Sequence, residues 1–255
     1  MRNKPDLDEM FLHETIHGYE EEFKSFTNRD EFPNYDIDFF DIDMEELDRN
    51  GFCAAAQAEY NPKTDKHTLF VCRELVPMKY LIFHELTHII DSEDYAKSNS
   101  ENYMYVSGYT EYHAAQVELM VLLGANNINE KMHFSMDKNV DTIAGSMSVN
   151  MYLRSKIDVV TNTIGKEDFP SSIEIAKGVL GVLYNYWGLR SVCKLYATDY
   201  NECIDFSIVK KQLNPYWFAV TNLFMDGWFD NEKVKMSFAP YSNAIMPLLV
   251  NNKLV

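Results

Sequence analysis

The sequence predicts an α+β fold, and three stretches carry the prediction. GFCAAAQAEY and KHTLFVCREL, joined by NPKTD, form two β-prone segments around a turn signal. MKYLIFHELTHIIDSEDYAK follows, with apolar residues on nearly every side of its centre, the pattern of a buried helix. Beyond about residue 135 the apolar spacing is helical almost to the end. The expected architecture is a small antiparallel sheet, a pair of helices beside it and a mainly helical C-terminal half.

The elements follow in order. Residues 5–27 carry Leu7, Met10, Phe11, Ile16, Phe23 and Phe26 among many acids, a loose helical pattern that Gly18 should break into one or two peripheral helices. From Phe32 to Asn50 aromatics and acids alternate. The Asp-X-Asp run mimics a calcium loop but lacks its Gly and terminal Glu, so it reads as a solvated acidic edge. Pro77 can open the helix that follows the hairpin. The polar stretch SNSENYMYVSGY should be a linker to a second helix, TEYHAAQVELMVLLGANN, with Thr110 as N-cap and Gly124 near its end. Helices are then expected at roughly 138–164, 171–187, 189–198 and 207–228, the second opened by Ser171 or Ser172 ahead of Glu174. The aromatic-rich GVLGVLYNYWGL and NPYWFAVTNLFMDGWF read as core. Three segments result: an acidic N-terminal helical segment (1–50), a core (51–130) and a helical C-terminal subdomain (131–255).

Composition narrows the function classes. With 23 Lys+Arg against 39 Asp+Glu the net charge is −16, a field that repels phosphate backbones, so no nucleic acid is expected. The longest charge-free stretch, Met236 to Asn252, contains two prolines and several amides and is not a membrane span. The N-terminus lacks the apolar run of a secretory signal, and Cys53, Cys72, Cys193 and Cys203 show no CxxC spacing. A reduced, cytoplasmic chain is the expectation, with Cys72 in the core and the oligomeric state open.

The chemistry lies in His84-Glu85-Leu86-Thr87-His88. On a helix the two histidines share one face and can converge on one ion, while Glu85, about 100° round, can reach a water on that ion. Zinc lowers the pKa of such a water towards 7, and the carboxylate can remove its proton. A second HExxH, His13-Glu14-Thr15-Ile16-His17, is followed by Gly18 and a run of acids, so it would be wet and poorly held. His84 and His88 are therefore the candidate zinc ligands.

A third ligand is needed, because catalytic zinc keeps three protein ligands and one open position. The positions where metzincins carry Gly and His hold Asp91 and Asp94. Glu111, 23 residues after His88 near the start of the next helix, is the choice, with Asp94 and Glu118 as alternatives. Asp91, on the face of His84 and His88, could accept the second N–H of a ligand histidine. Tyr103, Tyr105, Tyr109, Tyr112 and His113 lie near in sequence as stabilisers of an oxyanion, with Tyr109, Tyr112 and His113 closest to the proposed ligand. His67 and His133 have no partner at ligand spacing.

Hairpin, HELTH helix and returning helix with TEYHAAQVE together resemble the core of the gluzincin branch of zincin metallopeptidases, over roughly residues 51–125. The resemblance implies a zincin-like fold and a zinc peptidase with His84, His88 and Glu111 as ligands and Glu85 as general base. It also implies that the edge strand of the hairpin binds an extended substrate by strand addition. Thr110 and Tyr112-His113-Ala114-Ala115 around Glu111 depart from the thermolysin-like pattern. They are nearer the compact cytosolic and phage-associated bacterial zincins, although no helix-turn-helix module accompanies them. Two other functions fit the same residues: a non-catalytic zincin scaffold that binds a partner, and a zinc hydrolase of non-peptide amides or esters.

Overall fold

The computed structural model describes residues 9–41, 55–202 and 204–253. Cys53, Cys203, the acids at 42–50 and the start of the first hairpin segment lie outside the described residues. The fold is α+β. Helix α1 (Glu9–Thr27) is one continuous helix: Gly18 does not break it. A mid-helix glycine costs only about 1 kcal/mol, and burial of Leu12, Ile16, Phe23 and Phe26 along one face outweighs that. Phe23 and Phe26 pack edge-on against Phe83, with ring centroids 5.2 and 5.6 Å apart.

Strand β1 (Tyr35–Phe40) comes from the segment read as a solvated acidic edge. Its exposed Asp36 and Asp38 alternate with half-buried Tyr35, Ile37 and Phe39, the period of a strand with one wet face. β2 (Ala56–Asn61) and β3 (Lys66–Cys72) form the expected hairpin, with Asp65 at φ 55° in the turn. The sheet order is β1-β3-β2, and β1 runs parallel to β3, so the sheet is mixed, not purely antiparallel.

After a single 3₁₀ turn (Arg73–Leu75), α2 (Lys79–Tyr95) carries the HELTH motif with eleven buried residues. α3 (Ser100–Leu122) begins eleven residues earlier than expected. Asn99, not Thr110, is its N-cap, with Oδ1 accepting from the N–H groups of Glu101 and Asn102, so the presumed linker is helical and Thr110 lies mid-helix. Contacts of Tyr95 with Tyr109 and of His84 with Glu118 show that α2 and α3 run antiparallel.

The C-terminal half departs from expectation at four places. Residues 139–148 form a hairpin, β4 (Asn139–Thr142) and β5 (Gly145–Ser148), before α4 (Val149–Ile164). α5 (Ile173–Tyr196), capped by Ser172, passes through Gly188 unbroken. The expected helix at 207–228 is two, α6 (Ser207–Gln212) and α7 (Pro215–Phe224), separated at Asn214 with φ 66°. α8 (Asn231–Asn251) includes Pro240 and Pro247. These prolines hid it from the sequence reading, yet burial of Val234, Tyr241, Ile245, Leu248 and Leu249 offsets the lost hydrogen bonds.

α5 is the central helix of this half. A Cβ on Gly188 would lie 2.1 Å from the Tyr112 carbonyl oxygen, so glycine is what lets α5 touch the α3 backbone. Arg190, fully buried, ties α5 to the end of α7 by donating to the carbonyl oxygens of Asn222 and Met225 at 2.6 and 2.8 Å. Trp187 and Phe218 are core, as their spacing suggested. Among the described residues no helix is long and apolar enough to cross a membrane.

Candidate metal centre

One turn of α2 separates His84 from His88, and their rings stand 4.9 Å apart at 69°. Ligand atoms of His84, Glu85 and His88 all lie within 4.8 Å of one another. From α3, Glu111 brings Oε2 to 3.8 Å from Nε2 of His84 and to 3.8 Å from Nε2 of His88. Tetrahedral zinc with bonds of 2.0–2.1 Å sets its ligand atoms ~3.3 Å apart. Glu111 Oε2 is thus about half an ångström farther from each Nε2 than that geometry asks, while the three ligand atoms that already lie close together are those of His84, Glu85 and His88. Glu111 Oε2 is equidistant from both Nε2 atoms. Glu85 points to the sheet, where its Oε2 accepts the Ala58 N–H at 2.7 Å.

The residues behind these four hold them in place. His88 Nδ1 is 2.8 Å from Thr110 Oγ1, so a proton donated there leaves Nε2 as the free lone pair. His84 Nδ1 is 2.7 Å from Glu118 Oε2, but its N–H is not aligned on that oxygen, and the buried nitrogen has no hydrogen-bond partner. Glu118 is fixed in turn by the Tyr152 hydroxyl, which donates to it, and by Lys156 Nζ at 3.6 Å. The Asn185 side chain of α5 lies near enough to help hold the Glu111 pKa down. It has room beside that helix because position 181 is glycine: a Cβ there would meet Glu111 Oε1 at 3.1 Å.

The charges also call for a cation. Three carboxylates, Glu85, Glu111 and Glu118, surround two imidazoles. Burial by itself would lower the His84 pKa, but Glu111 and Glu118 outweigh it and hold it up to about 10. Burial would raise the Glu111 pKa, yet His88 and His84 bring it down to about 2, although 31 % of its side-chain surface stays open. Glu118 is likewise pulled down against burial to about 2, by Lys156 and His84. A proton on His84 neutralises part of this excess, and a divalent ion would neutralise more.

Other residues singled out in the sequence lie elsewhere. Asp91, nearly fully buried, does not touch either site histidine: its carboxylate takes His113 Nδ1 at 3.0 and 3.1 Å. Tyr109 is buried in a stack between His113 and Phe229, and the Tyr112 hydroxyl donates to the Gly227 carbonyl at 2.5 Å. The Tyr105 hydroxyl bonds Glu101, and Tyr103 lies against the sheet edge. Asp94 pairs with Arg29. In the second HExxH, His13 packs on Phe39 and His17 pairs with Glu20, its side chain 61 % exposed. His67 is buried against Tyr60, with Nε2 3.3 Å from Glu93, and His133 is exposed. Cys72 and Cys193 are free and buried.

Sequence reasoning missed Thr110, Gly181, Asn185 and Tyr152, and weighed Glu118 only as a ligand. Glu118 was detectable as support, because it lies seven residues after Glu111 on the same helical face. A cavity of about 830 Å³, between the end of α2 and the starts of α3 and α8, is lined by Glu93, Asp94, Tyr95 and Lys97 among others and includes none of the four site residues. No family model, curated protein or solved structure matches the chain.

Proposed function

We propose that the protein is a zinc-dependent hydrolase with a zincin-like core, acting as a metallopeptidase. The observation that carries the reading is the placement of Glu111 Oε2 at 3.8 Å from both Nε2 atoms of the HELTH motif, with the Glu85 carboxylate beside them and hydrogen-bonded to the Ala58 N–H. His84, His88 and Glu111 would hold the ion. Bound there, zinc would lower the pKa of its water towards 7 and polarise the scissile carbonyl. Glu85 would take the proton of the attacking water and deliver it to the leaving amine. The Ala58 N–H aims the Glu85 carboxylate along the free edge of β2, where an extended peptide would add as a strand. The buried free thiols of Cys72 and Cys193 suit a reducing compartment, and the cytoplasm is the setting proposed.

The test is elemental analysis of natively purified protein together with two variants. Near one zinc per chain is expected. Glu85→Gln should keep the zinc and lose turnover by at least about 10²-fold, whereas His84→Ala should lose both. A fully active Glu85→Gln protein would sink the mechanism.

A further inference from the structure

Among the described residues β2 is a free edge of the sheet, and the N–H groups of Ala58 and Tyr60 point away from β3. Strand geometry puts these two donors on one side, ~7 Å apart. Neither is open. Ala58 donates to Glu85, and Tyr60 donates to the Tyr103 hydroxyl at 3.2 Å. Tyr103 stands in the first turn of α3, so the edge runs into a helix two residues past the general base.

This stop is braced. The Tyr103 ring meets Tyr60 edge-on, with centroids 5.4 Å apart, and Tyr60 is stacked on His67 at 4.5 Å. The Tyr60 hydroxyl donates to Asp65 at 2.6 Å and accepts the Ser98 N–H at 2.8 Å. Ser98 and Lys97 both adopt left-handed backbone, at φ 59° and 46°, which these contacts must hold in place.

Resting on the peptidase reading of the site, we infer that Tyr103 closes one end of the substrate edge, so that the site accepts a chain end and trims one or two residues from a free N-terminus. The polarity follows from pairing. Antiparallel addition is the more stable, and an antiparallel chain on β2 has its N-terminal side towards Tyr60. A chain that takes the Ala58 N–H over from Glu85 can extend by at most about two residues before reaching Tyr103.

The experiment uses the zinc-loaded full chain and a nested set of peptides sharing one internal sequence. Each peptide is offered with a free and with an acetylated N-terminus, and products are read by mass spectrometry. Wild type should release one or two residues from free N-termini, and acetylation should lower kcat/KM by at least tenfold. Tyr103→Ala should gain internal cuts and lose the discrimination. Tyr103→Phe, which keeps the ring but frees the Tyr60 N–H, should move the cut inward even if the alanine variant does not fold. Internal cutting by wild type regardless of distance from the N-terminus, trimming from the C-terminus, or unchanged products in Tyr103→Phe would each overturn the closed end. The same peptides titrated by calorimetry into zinc-loaded Glu85→Gln protein separate the two readings. Preference for the free amine without any wild-type turnover removes the hydrolase and keeps the closed end, while equal binding of both forms removes the closed end whatever the activity.

Discussion

Zinc should enter this site by expelling a proton. With its pKa held up to about 10, His84 is protonated at pH 7 in the metal-free protein, and a metal ligand must be neutral. Freeing the nitrogen opposes zinc at neutral pH, so apparent zinc affinity should rise with pH, by up to about tenfold per unit while His84 stays protonated. Calorimetry at pH 7 in two buffers of different ionisation enthalpy should count about one proton released per zinc. Competition against a chelator between pH 7 and 9 should give the slope. The stability of the metal-free protein follows the same groups. His84, raised from 6.5 to about 10, contributes stability that is complete below 6.5 and lost as pH rises through 10. Glu111 and Glu118, lowered from 4.5 to about 2, contribute stability that is present above 4.5 and lost as pH falls through 2. Together these three groups place the metal-free optimum between pH 4.5 and 6.5, and zinc should move it upward. Binding with no proton release and an affinity flat from pH 7 to 9 would refute the assignment of His84 as a charged member of the site.

Three further outcomes are expected. Gly188→Ala forces a Cβ to within 2.1 Å of the Tyr112 carbonyl oxygen; the overpacking should exceed the ~1 kcal/mol that alanine adds to a helix by about 2 kcal/mol, and thermal melting should show Tm lower by at least about 4 °C. Thr110→Val keeps shape and removes the oxygen beside His88 Nδ1; zinc affinity should fall roughly tenfold with the circular dichroism spectrum unchanged, and undiminished affinity would remove Thr110 from the site. The double change His13→Ala, His17→Ala should leave zinc content as in wild type by elemental analysis; loss of metal would mean that the two HExxH motifs were wrongly ranked.

What the sequence revealed, it revealed where neighbours in the chain are neighbours in space. The HELTH helix and the hairpin before it depend on local periodicity and one turn, and both are where they were expected. β1 also carries a local signal, the alternation in YDIDFF, but its acids drew it towards a loop and its parallel partner β3 is thirty residues away. Asn99 and Thr110 both look like helix caps, and only the hydrogen bonds to Glu101 and Asn102 decide between them. At the site, Glu111, proposed as third ligand from its distance along the chain, does stand beside both histidines. The surroundings of Glu111 could not be named that way, because Gly181 and Asn185 come from a helix some seventy residues further on. Asp91 shows the limit of helical-face reasoning. It does lie on the face of His84 and His88, but His113 approaches from α3 and takes the carboxylate first.

The capped edge of β2 has a consequence for how copies of this chain treat one another in a crowded solution. An uncovered strand edge invites a second molecule to extend the sheet, the first step towards aggregation. On β2 the Tyr60 donor is held by Tyr103, so a second copy finds only a short stretch of edge to pair with. On the opposite side of the sheet, β1 displays Asp36 and Asp38 to solvent, so an approaching copy, itself at −16, is met by like charge. Side chains guard one border of this small sheet and repulsion guards the other. Tyr103, proposed to close the substrate edge, therefore also helps to keep the chains apart.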